Sequence, residues 1–126
     1  MPEVQTTSIQ QNKAGNTLDG YYLYHAFPVA PAGSTQADAK MLDQNLSVVT
    51  GADATKGVVL KPVTRDGWPS ELYNATAAVL KVYPPVDGSI NGGTVNAPVS
   101  LAGKTHARFI SLDGLGNYAG NFTAAS

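Results

Sequence analysis

Short β-prone runs, each closed by Gly, Pro, Asn or Asp, recur along the whole of this chain. Its 126 residues include 13 glycines and 8 prolines. Glycine in a helix interior costs backbone entropy. Proline removes a helix hydrogen bond and clashes with the preceding turn, so long helices are excluded. What remains is strands joined by turns. Runs at Leu18–Phe27, Leu46–Val49, Val58–Val63, Ala77–Tyr83, Val99–Leu101, Thr105–Leu112 and Tyr118–Thr123 read as about seven short strands, a spacing that suggests a sandwich or barrel. The expected fold is therefore mainly β: a small β-sandwich or barrel of about seven short strands, one or two short helices, and an extended N-terminal arm. Residues 1–17 would form the arm and residues 18–126 one β-rich domain.

Within that pattern, Met41–Val63 reads as a β-hairpin. An apolar run (Leu46, Val48, Val49) and a second (Val58, Val59, Leu60, Val63) flank a link punctuated by Gly51, Asp53 and Gly57. The better helix candidate is Thr35–Leu46, where Thr35 and Asp38 stand at capping-box spacing. Ser70–Tyr83 reads as a short helical or irregular lead-in followed by a strand that Pro84-Pro85 stops. The expected core is Val48, Val58, Leu60, Leu80, Val82, Phe109 and Ile110.

Charge narrows the function. Charged residues make up 13% of the chain, against about a quarter in an average domain. Net charge is −1, and the lysines and arginines are scattered, so no footprint for nucleic acid or an anionic membrane is present. No stretch approaches ~18 apolar residues, and the opening MPEVQTTSIQQNK lacks the basic-then-apolar pattern of a secretory signal. There is no cysteine, hence no disulfide, thiolate metal site or cysteine nucleophile. His25 and His106 are too few for a metal centre without paired carboxylates, and each reads as a surface strand residue. Asp19, Asp66, Asp87 and Asp113 each precede Gly, so turn formation accounts for them. The glycines from Gly114 to Gly120 have the wrong spacing for a dinucleotide loop, and no GxSxG elbow occurs. Neither enzymatic activity nor a cofactor is expected.

Two segments offer surfaces instead. Val4, Gln5, Thr6, Thr7, Ser8 and Ile9 are β-prone and uncharged, in a segment too polar to order alone. This reads as an arm that adds to a neighbour's sheet edge, or as a frayed terminus. Tyr21, Tyr22 and Tyr24 cluster in the most aromatic run, and Trp68 lies in a turn. These rings pack against the core or serve an interface with protein or sugar.

Met41-Leu42-Asp43, the strand Leu46-Ser47-Val48-Val49, the link Gly51-Ala52-Asp53-Ala54-Thr55 and the strand Gly57-Val58-Val59-Leu60 together resemble the lambda-like head-decoration proteins of tailed bacteriophages. The resemblance covers about a fifth of the chain and does not continue past Asp66. It implies a virion structural protein on the capsid exterior, made in the host cytoplasm. Its partners would be the major capsid protein and sister copies in a trimer or dimer, with no nucleic acid and no membrane. Other readings of the residues remain: a phage tail subunit, or a non-viral β-sandwich adhesion or carbohydrate-binding module with Tyr21–Phe27 and Trp68 as its binding face.

Overall fold

The computed structural model describes residues 26–63 and 67–125. Ten strands run through them: β1 (Ala26–Val29), β2 (Lys40–Met41), β3 (Leu46–Val49), β4 (Gly57–Val59), β5 (Pro69–Asn74), β6 (Leu80–Tyr83), β7 (Ser89–Ile90), β8 (Val99–Leu101), β9 (His106–Ser111) and β10 (Asn117–Asn121). The chain is mainly β. Among the described residues there is no helix.

From β1 to β9, successive strands alternate between two sheets. One has the order β1-β3-β5-β9-β10-β7, the other β2-β4-β6-β8. In the first, Ala26 pairs with Leu46 and Leu46 with Glu71, all parallel. In the second, Lys40 pairs with Val58 and Val58 with Val82, also parallel. The chain thus winds as a coil from one sheet to the other and back, an arrangement like a β-solenoid rather than the expected sandwich or barrel. Antiparallel β8 then closes the second sheet beside β6, while β9, β10 and β7 widen the first. Past β10 the chain crosses once more, and Ala124 pairs with Leu101 along the outer edge of β8.

One core lies between the sheets. Leu42, Val58, Leu60, Leu80, Val82 and Leu101 meet Val49, Leu72, Ala107, Phe109 and Tyr118, all buried. Phe122 leaves β10 and stacks on Phe109 at 5.6 Å between centroids. Tyr118 bridges the sheets, its hydroxyl donating to the Lys61 carbonyl at 2.7 Å. The second sheet is covered on its other face too. Ala32 exchanges backbone bonds with Gly57, Tyr83 Oη donates to the Ser34 carbonyl at 3.0 Å, and Gln36 Nε2 donates to the Pro84 carbonyl at 2.8 Å. Gly57 permits this closeness, because a Cβ there would stand 2.9 Å from the Tyr83 ring. Gly88 does the same at another turn, where a Cβ would collide with the Gly116 backbone.

Several expectations are corrected. Leu46–Val49 and Val58–Leu60 do not form a hairpin: β3 and β4 lie in different sheets, and each already has parallel neighbours on both sides. The link between them is a through-turn, in which Asp53 Oδ1 accepts from Thr55 N, Thr55 Oγ1 and Lys56 N, and Ala54 takes φ 75°. At Thr35–Leu46 the cap forms, Thr35 Oγ1 accepting from Asp38 N at 3.3 Å, but the segment then extends as β2 so that Leu42 enters the core. The lead-in at Ser70 is the strand β5. Its inward positions are Ser70, Leu72 and Asn74, so polar residues hide the alternation. Asn74 is fully buried and satisfied: Nδ2 donates to Ala78 O and Ala102 O, and Oδ1 accepts from Thr76 N and Thr76 Oγ1. Within the expected core, Val48 and Ile110 are only half-buried, since strand alternation sends them to the outer face while Val49 and Phe109 point in.

Replacing Leu60 or Phe109 by Ala should cost ~2–5 kcal/mol in urea unfolding, because each leaves a cavity in the shared core. Val48→Ala should cost less than either. Equal losses at all three would place Val48 in the core and contradict the register.

Candidate functional site

Parallel coils have two ends, and here the ends differ. At one, Ala124 covers β8. At the other, β1 and β2 are the outermost strands of their sheets among the described residues. The Val29 carbonyl accepts from Thr50 N on the β3 side, so alternation turns Pro28 toward the free edge. Proline has no N–H to present there, which limits indiscriminate pairing. Between the two outer strands lies a crevice of about 180 Å³, lined by Pro28, Val29, Lys40, Met41, Asp43 and Gln44.

Met41 is also a wall of a second recess. This groove, about 280 Å³, runs past the carboxyl ends of β2 and β4 over Ala37, Ala39, Val59, Pro62, Pro85 and Val86. Met41 is 40% and Val86 70% exposed. The open coil end and the apolar groove thus meet at one side chain.

A second surface is the outer face of the six-stranded sheet. It presents Leu46, Val48, Tyr73 and Ile110, all half-buried. On it His106 Nε2 and Glu71 Oε1 stand 2.9 Å apart, a carboxylate meeting that the sequence spacing did not reveal. The pair is exposed on His106's side and joins β9 to β5, where Glu71 also lies opposite Arg108. Among the described residues no group of three His, Cys, Asp or Glu side chains could hold a metal ion.

The carboxylates in turns behave as anchors. Asp53 is held below the usual carboxylate range by the Thr55 hydroxyl first and the Thr55 N–H second. Asp113 is held down by the Asn117 side chain and then the Leu115 N–H. Leu115, in that same turn, is 75% exposed.

Of the residues singled out in the sequence, Trp68 is described. It is half-buried before β5, its carbonyl accepting from Ser111 N, with Lys61 Nζ 5.4 Å from the ring centroid. One ring face is therefore occupied by a cation rather than open for a sugar. Val4, Gln5, Thr6, Thr7, Ser8, Ile9, Tyr21, Tyr22 and Tyr24 lie outside the described residues. Sequence reasoning placed Met41 in the decoration-like triplet but gave no role to Val86, whose exposure follows from a turn packed on Gly116.

Burial pushes the Tyr118 hydroxyl up from 10.0 to about 12. The neutral phenol is the form the fold favours, so its contribution is complete below pH 10 and is lost as pH rises toward about 12. The urea midpoint of the native protein should fall across that window. Tyr118→Phe should be less stable at neutral pH by ~1 kcal/mol, through loss of the bond to Lys61, and should show a smaller alkaline fall. An identical alkaline profile in both proteins would contradict the assignment.

Comparison with protein-family models, with curated proteins and with solved structures found no match to this chain.

Proposed function

We propose that this chain is a virion structural protein, a capsid decoration or cement subunit that binds over capsomer junctions on the outside of a phage head and stabilises the shell. The observation that carries the reading is the coil end joined to the apolar groove at Met41: two parallel edges with no further strand among the described residues, beside exposed Met41 and Val86. A molecule whose edge strands wait for a further strand is suited to assembly. The low charge and the decoration-like residues from Met41 to Leu60 support the same reading. The partners would be the major capsid protein and sister copies, as a dimer or trimer. The work done would be mechanical, since added interface area resists internal pressure.

In this reading the segment Val4–Ile9 reaches a neighbouring edge on the particle, where strand pairing offsets an ordering cost of ~1–2 kcal/mol per residue. The test mixes the protein with undecorated heads of tailed bacteriophages and follows co-sedimentation and the temperature at which heads rupture. Binding with a raised rupture temperature is expected. Met41→Asp should weaken binding at least ~tenfold, because a carboxylate is desolvated at an apolar contact. Deleting residues 2–12 should leave the isolated protein's Tm nearly unchanged while attachment falls severely. Heads that neither bind the protein nor gain stability would overturn the proposal. Equal attachment by the truncated protein would remove the arm and leave the groove as the docking surface.

A further inference from the structure

The chain contains a single Asn-Gly pair, Asn91–Gly92. It occupies the exposed turn after β7, with φ 54° at Asn91, φ 68° at Gly92 and a bond from Gly93 N to the Ile90 carbonyl at 3.0 Å. Positive φ at both central residues is the turn geometry that Asn-Gly favours. The asparagine side chain does more than fill the turn. Its Oδ1 accepts from Gly120 N at 2.7 Å and its Nδ2 donates to the Gly120 carbonyl at 3.1 Å. The side-chain amide therefore stands in for a peptide group and extends the short β7–β10 ladder, which otherwise pairs only Ser89 with Asn117 and Ile90 with Tyr118.

We propose that Asn91 is a spontaneous deamidation site that the fold keeps closed. In an open chain the Gly92 backbone nitrogen, unhindered by a neighbouring side chain, attacks Asn91 Cγ. The new C–N bond closes a succinimide ring, and Nδ2 leaves as ammonia. Water then opens either carbonyl of the ring, giving aspartate or isoaspartate; the balance is asparagine plus water to acid plus ammonia, and no other reactant is needed. In the folded molecule both amide atoms of Asn91 are tied to Gly120, so the side chain must give up both bonds before Cγ can turn to the Gly92 nitrogen and lose Nδ2. Once formed, the product does not restore the contact. A carboxylate keeps the bond from Gly120 N but sets an anion against the Gly120 carbonyl. Isoaspartate lengthens the backbone and breaks the turn's register. The modification is thus a one-way record of β7 opening, and it leaves the edge of β10 less covered.

The test incubates the full chain in mildly alkaline buffer, folded and in urea, and maps deamidation by peptide mass spectrometry. Asn91 should be the fastest-reacting asparagine in urea and at least ~tenfold slower in the folded protein, where only transient opening of β7 exposes it. Ile90→Ala, which shortens the core anchor of β7, should narrow that gap, and Gly92→Ala should slow the reaction in urea. Equal rates with and without urea would show that the fold does not close the site. No preference for Asn91 in urea would show that there is no site.

Discussion

Two sheets that each carry apolar side chains on one face can bury them only against each other. In this chain that core is assembled from alternate strands. Val58, Leu60, Leu80 and Val82 come from one sheet and Val49, Leu72 and Phe109 from the other. Because the chain crosses the core after every strand of the coil, its sheet neighbours come from the preceding and following coils, and the pairing is parallel. No coil buries its own strands alone, so stability is built coil upon coil. Tyr118 reinforces the joint by reaching from β10 to the Lys61 carbonyl, where the chain leaves β4.

The crossings set further demands. A parallel coil needs turns that carry the chain between sheets, and these employ short polar side chains bonded to nearby backbone. Asp53 does so after β3 and Asn74 after β5. Asn74 is the more consequential, since it is buried and joins its own turn to the Ala102 carbonyl. Not every inward polar group is served this way. Among the described residues the buried Ser47 and Ser70 hydroxyls find no hydrogen-bond partner, and each such group costs about 1–3 kcal/mol. Small size at those positions lets β3 and β5 lie close to the core.

Strand-forming runs were legible in the sequence wherever the inward positions were apolar. Leu80–Tyr83 and His106–Ser111 fall inside the runs that β-branched and aromatic residues marked. β5 was not legible, because Ser70 and Asn74 occupy core-facing places and the alternation reads as polar. Pairing was less legible still. Leu46–Val49 and Gly57–Val59 are near in sequence, and proximity favours a hairpin, whereas their partners lie a full coil away. At the candidate site, Met41 stood out in the sequence only through a resemblance. Its exposure goes with β2 being the outermost strand of its sheet among the described residues, a property of topology that no local pattern encodes.

The coil requires consecutive strands such as β3 and β4 to lie in different sheets, and nuclear Overhauser contacts between backbone protons test this directly. It predicts the Hα–HN pattern of parallel strands between Leu46–Val49 and Glu71–Asn74, and again between Gly57–Val59 and Lys81–Tyr83. Close Hα–Hα contacts between Leu46–Val49 and Gly57–Val59 would mean an antiparallel hairpin, and would contradict the coil.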